Sequence, residues 1–285
     1  MKKILALSIF ILLTGEFYLS AQNTSSNNKS LNFPTKKYGI SIGNSQDFTG
    51  IRINFADKNV KKINGLNLTF WFKYCKNLNA VVNGISLGVI PTAGTMQYLN
   101  LGLLGVGTNN NLNGFSVGGI VVGSGGNING LSLSGLITMA DGDNSAISGI
   151  AVSGIGIGAH KAINGLAVGG FAVGTDGNIS GVVSSLAYIS CKKEFQGVAF
   201  TVGYLESEIF QGVAIAGFTK TNQMHGLSIA LYNRTKELHG VQLGLLNYAG
   251  NNQKGLRMFP FINFHLKKKV TNDLTNQSIK WPIVE

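Results

Sequence analysis

The side chains best placed for chemistry in this chain are His225 and His239, which could present two imidazoles to a metal from adjacent strands. A metal centre needs a third and a fourth ligand, and none is found with them. Both histidines fit equally well as members of a polar row, which requires no metal. Asp141-Gly142-Asp143 and Asp176-Gly177 suggest calcium turns, but the repeated Gly-Gly-x-Gly-x-Asp pattern of calcium-bound solenoids is missing. Asp-Gly is first of all a turn signal. There is no Gly-Lys-Ser or Gly-Lys-Thr phosphate loop and no His-Glu-x-x-His. With 4 His and 12 acidic residues in 285, hydrolase and oxidoreductase sites lack raw material. No catalytic, cofactor-binding or metal residues are assigned, no cofactor is expected, and the chain does not read as an enzyme.

The elements that carry these residues follow from the 39 glycines. An apolar-x-Gly-apolar-x-apolar unit recurs along the chain, clearest at Ile128-Asn129-Gly130-Leu131-Ser132-Leu133 and Ile163-Asn164-Gly165-Leu166-Ala167-Val168. Its anchors are Gly50, Gly65, Gly84, Tyr98 in place of a glycine, Gly114, Gly130, Gly149, Gly165, Gly181, Gly197, Gly212, Gly226, Gly240 and Gly255, spaced 14 to 16 residues apart with two gaps of 19. The residue after the anchor is always apolar. The third after it is apolar except at Ser184, and the second before it is apolar except at Gln253. The residue immediately before it is always polar.

A two-residue apolar period in segments rich in Gly, Val, Ile and Asn predicts strands rather than helices. Gly169-Gly170 breaks the phase within a copy, so a bend there would turn Leu166, Val168, Phe171 and Val173 to one inner side. Asn164-Gly165 supplies a second corner where positive φ is cheap. The expected fold is therefore all-β, a repeat β-solenoid of about 14 short coils of 14–16 residues, the alternative being an outer-membrane β-barrel. Ser116, Ser132, Ala151 and Ala167 are expected to face outward as a flat uncharged wall. The polar residue before each anchor should stack into a ladder. Phe70, Trp71, Phe72 and Tyr74, with Met96 and Tyr98, are expected to cap the narrow end of the core. The longer gaps before Gly84 and Gly149 should bulge as loops.

The Asn-Gly-apolar-x-apolar-Gly unit, the copy His239-Gly240-Val241-Gln242-Leu243-Gly244-Leu245-Leu246-Asn247-Tyr248-Ala249 and the closing Phe259-Pro260-Phe261-Ile262-Asn263-Phe264 resemble the surface-repeat proteins of spirochaetes and Bacteroidetes. The resemblance covers about Gly39 to Phe264. It implies an exported, envelope-associated protein with no catalytic residues to carry over. Tyr98 at one anchor and the basic tail after Phe264 depart from the pattern.

Lys2 and Lys3 precede an apolar run, Ile4 to Leu13, too short to span a bilayer as a helix, which reads as a signal peptide cut after Ala21. The first cysteine is Cys75, so a lipidated cysteine at the new terminus is not expected. The domain reading is 1–21 signal peptide, 22–37 N-terminal linker or cap, 38–264 solenoid, 265–285 basic tail. Without Lys2, Lys3 and Glu16, the 23 basic and 12 acidic residues leave a net charge of +10. Between Val81 and Ser190 the one Lys or Arg is Lys161, so the excess sits at the ends, in Lys36, Lys37, Lys58, Lys61, Lys62 and Lys267 to Lys269, where it would blunt open strand edges. Cys75 and Cys191 lie about eight repeats apart, too far to pair. The expected role is that of an exported cell-envelope or surface protein, structural, adhesive or interacting. Its partner would be a protein, a glycan or another copy met through the uncharged wall, with peripheral outer-membrane contact and no nucleic acid. Its place would be the cell surface, the outer membrane or the periplasm.

Overall fold

A computed structural model describes residues 29–71 and 79–266, all of it strands and connecting turns. The signal peptide, Phe72, Tyr74, Cys75 and the tail from Lys267 on lie outside the described residues. Each strand pairs in parallel with the strand one coil before it and the strand one coil after it, repeat position on repeat position: Ile147, Ile163 and Ile179 stack, as do Gly149, Gly165 and Gly181. This is a β-solenoid of about 10 turns. It is not a barrel, because a barrel closes on antiparallel neighbours and antiparallel pairs occur here only at the two ends.

One coil shows how the sequence makes the turn. Ala162–Gly169 is a strand, Gly170 and Phe171 form a corner, Ala172–Thr175 is the strand of the opposite side, and Asp176-Gly177 turns the chain into the next coil. Within the first strand Ile163 and Ala167 are buried, while Asn164, Gly165 and Leu166 all face outward, which makes Gly165 a third corner. Its φ is +113°, and a Cβ there would stand 2.2 Å from the carbonyl oxygen of Gly149 in the coil below. Only glycine meets both demands. Tyr98 occupies the same corner with φ +79°, a conformation that costs a side chain about 1–2 kcal/mol.

The anchor ladder differs from the expected one at both ends. It begins at Gly39, which pairs with Gly50, and its last member is Gly240. Gly255 is not part of it; after a turn the chain reverses, and Met258–His265 runs antiparallel to the final coil, with His265 opposite Gly240. Gln253 stands where the other coils place an apolar residue in the core, so a further coil would have had a polar centre. At the other end Ser30–Pro34 folds back antiparallel on Tyr38–Gly43. Among the described residues the opposite side has its first strand at Thr92–Ala93, so complete turns are fewer than anchors.

The larger correction concerns inside and outside. The core is lined by the row two before the anchor (Ile63, Ile128, Ile163, Phe195 and their equivalents), the row two after it, and Val122, Val173 and Ile189 from the opposite side. Ser116, Ser132, Ala151 and Ala167, expected outward, are buried, whereas Leu166 and Phe171, expected inward, are exposed and Val168 is half-buried. The corner at Gly165 explains it: Asn164, Gly165 and Leu166 stand outside, and the chain returns to the core at Ala167, four residues after Ile163. A coil this narrow holds Ile163 and Val173 only if the third inward position is small.

The described aromatic residues do not cap the core either: Phe70, Trp71 and Tyr98 are exposed, while Met96 is buried. The first coils instead enclose Arg52, fully buried. Its guanidinium donates to Asp57 Oδ1, to Asn67 Oδ1 at 2.7 Å, to Asn44 Oδ1 at 2.9 Å and to the Ser45 carbonyl at 3.1 Å. Asp57 also accepts from Asn54 and Thr69.

Candidate functional site: an apolar wall and its polar edges

The strand after each anchor sends two side chains outward, the first and third residues beyond the glycine. Along the ladder the first row reads Ile51, Leu66, Ile85, Leu99, Phe115, Leu131, Ile150, Leu166, Val182, Val198, Val213, Leu227 and Val241. The third-residue row is apolar throughout except for Ser184. In-register pairing places each member directly over the last. Row neighbours cover the flanks of each side chain and leave the tips bare: Ile51 is 42% exposed, Ile150 41%, Val182 46% and Phe200 47%. With 13 coils each occupying about 4.8 Å and four residues of about 3.3 Å, the wall measures roughly 62 by 13 Å, a footprint of about 800 Å². Its far edge is an apolar ridge at the second corner, where Ile120, Leu136, Ile155, Phe171, Leu186 and Val202 stand exposed.

The near edge is polar, as expected. Asn129 donates to Asn113 Oδ1 at 2.8 Å, Asn83 to Asn64 Oδ1 at 2.9 Å, and Gln196 and Gln211 both donate to Glu194. His225 and His239 continue this row as stacked rings, 4.8 Å between centroids and 23° between planes, and His265 from the closing strand meets His239 edge-on at 5.9 Å. Stacked rings turn faces, not nitrogens, toward each other. Among the described residues no group of three His, Cys, Asp or Glu side chains is arranged to hold a metal ion.

Most charged side chains of the middle coils stand on other parts of the coil, Glu194 at the near edge being an exception. Asp141, His160, Asp176 and Lys192 form one outward row after the opposite strand, beside a shallow groove of about 280 Å³ over Gly158 and Gly174. His160 bridges its neighbours, with Nε2 3.5 Å from Asp141 and Nδ1 3.2 Å from Asp176. The Lys192 ammonium pairs with Asp176 and holds its carboxyl below the usual range, and is itself raised by that carboxylate. Lys220 does the same to Glu206. Asp141 opens the longer connection before Gly149, where the Ser145 amide donates to the Gly142 carbonyl at 2.8 Å: a turn, as expected of the insertion.

Cys191 is a buried thiol that donates to the Gly177 carbonyl, and burial pushes its pKa up, the opposite of an activated nucleophile. Sequence reasoning missed that Gly84-Ile85-Ser86-Leu87-Gly88 and Gly114-Phe115-Ser116-Val117-Gly118 carry the Gly-x-Ser-x-Gly spacing of a hydrolase nucleophile elbow. Both serines point into the core from parallel strands, not outward from a strand-to-helix turn. The wall was missed as well, although its two rows were visible in the repeat. The chain matches no protein-family model, no curated protein and no solved structure.

Proposed function

We propose that the protein is an exported cell-envelope solenoid with a structural or adhesive role, and that it works by pressing its apolar wall against a macromolecular partner rather than by catalysis. The observation that carries this reading is the wall, broken only at Ser184: an apolar face with a footprint of about 800 Å² is larger than the patch of about 300–600 Å² that a typical soluble monomer shows. The chemistry-bearing side chains fit a non-enzymatic reading, since they are spread one per coil instead of converging. Export rests on the leader from Lys2 to Ala21. Nucleic acid is a poor partner for the wall, because a phosphate backbone is met by clustered Lys and Arg and the wall has none.

Fractionation of the native protein tests this reading. The expected outcome is a chain cut after Ala21, held in the envelope fraction and released by alkaline carbonate without detergent, with a wall variant such as Leu166→Lys/Val182→Lys released already at neutral pH. An uncut protein in the cytosol, or a wall variant that fractionates like the wild type, counts against it.

A further inference from the structure

We propose that the occupant of the wall is a second copy of this chain, giving a closed dimer in which two solenoids pack wall to wall. The proposal rests on the wall being the working surface and names its partner.

Area is the first reason. About 800 Å² on each partner is the size at which stable, specific protein interfaces begin to be common. Shape is the second. Parallel in-register rows make a flat, ridged sheet face, and such a face is best covered by another of the same kind at about 10 Å, with side chains interdigitating as they do between the sheets of a sandwich. The wall is its own nearest match in pitch, since the two rows repeat at every coil from Ile51 to Leu243.

Charge distribution is the third reason, and it separates a second copy from a lipid surface. A peripheral protein on an anionic membrane carries Lys and Arg along the rim of its apolar face. Here Lys161, Lys192, Lys220, Arg234 and Lys236 belong to the opposite strand of the coil or the turn beyond it; the rim is a Thr, Asn, Gln, Ser and His row on one side, with Asp47, Lys62, Glu194 and Glu237 as single charges of both signs just beyond it, and apolar on the other. The two outward rows themselves carry no charge, so walls brought together bury none. An interface that uses the same patch on both partners closes at two, so the product is a dimer and not a fibre.

Sedimentation velocity on the full chain, expressed with its leader and purified without detergent, tests this directly. The wild type is expected to sediment as a dimer at micromolar concentration. Leu166→Lys/Val182→Lys is expected to weaken association by about 100-fold or more, because each interface then buries four unpaired ammonium groups. Its melting temperature should be unaltered at a concentration where both proteins are monomeric, since both positions are exposed in one copy. A monomeric wild type, or a variant that dimerises as tightly, overturns the proposal. Flotation with vesicles of phosphatidylcholine and of phosphatidylglycerol then separates the failures. A monomer that floats through its wall keeps the working wall and replaces its occupant by lipid; a monomer that neither floats nor fractionates differently from the wall variant removes both.

Discussion

In the first coils the inward row beyond the anchor is Ser41, Arg52, Asn67, Ser86 and Asn100; in the middle coils the same row is Ala151, Ala167, Val183, Ala199 and Ala214. The backbone ladder is common to both regions, and corresponding residues pair in both with unbroken register. What differs is the opposite side. Among the described residues no second strand closes the coil before Thr92, and the interior there is filled by Arg52 and its partners, whereas from Ile150 on Val173, Ile189 and Leu205 leave room only for Ala or Val. The ladder of backbone hydrogen bonds therefore decides the fold, and the core chemistry follows the space the opposite strand leaves. A polar interior is tolerated where each group finds a partner, as the Arg52 cluster does through Asp57, Asn67, Asn44 and Ser45.

The sharpest way to break this contrast is to remove one half of the buried pair. Asp57→Ala leaves the Arg52 guanidinium enclosed without its carboxylate, which costs about 3–5 kcal/mol. Because a solenoid is held by nearest-neighbour interfaces, the loss should be local. Hydrogen exchange is expected to show Tyr38–Trp71 opening while Ala146–Thr201 keeps its protection. The double replacement Arg52→Met with Asp57→Leu should recover most of the loss. If exchange rises evenly along the whole chain, the two regions are one cooperative unit and the comparison fails.

The same contrast predicts a smaller effect in the middle. Ala167→Leu forces three methyl-sized groups into a row already closed by Ile163 and Val173, an overpacking cost of about 1–3 kcal/mol, read as a lower urea midpoint at constant slope. Ser86→Ala, the same register position in an early coil, should be neutral or stabilising, since the Ser86 hydroxyl has no hydrogen-bond partner and its removal ends a desolvation cost. A tolerated leucine at position 167 would mean that the middle coils are not as tightly closed as their burial indicates.

These regions also differ in how much of them could be read from the chain. The solenoid was legible because a positive-φ residue pressed against the carbonyl below recurs once per coil and is glycine at every anchor but Tyr98. Gly39 escaped because it lies 11 residues before Gly50, outside the spacing of the other anchors. Gly255 was included on spacing alone, although Gln253 marked it as unable to fill a core. The wall was read inside out because large apolar side chains were assumed to be interior. The contrary signal was the uniformly small row of Ser132, Ala151 and Ala167, each four residues after the apolar Ile128, Ile147 or Ile163 of its own coil. The Arg52–Asp57 pair was not legible at all, since it depends on the space inside the early coils, which among the described residues have no opposite strand. The triad of histidine rings depended on the closing strand reversing, which brings His265 beside His239.

The smallest expected effect belongs to the outward charge row of the middle coils, and it tests whether anything beyond the ladder and the core matters there. Asp176 and Glu206 have carboxyl pKa values lowered in the folded chain by Lys192 and Lys220. Whatever stability they add is therefore present above the ordinary values of 3.8 and 4.5 and is lost as pH falls through the lower folded values. Lys192 and Lys220 are raised, so their share is present below 10.5 and is lost as pH climbs past the folded values. Both pairs are intact between about pH 5 and pH 10, and the stability curve should be flat there. Because Asp176, Lys192 and Lys220 are open to solvent, water and salt screen the attraction, and Lys192→Ala should lower the melting temperature at pH 7 by less than about 2 °C. The difference should vanish in 1 M salt, where the screening length is about 3 Å. A drop several times larger would mean that the row Asp141, His160, Asp176, Lys192 acts as a coupled unit, and the groove beside it would then become a second place to look for a ligand.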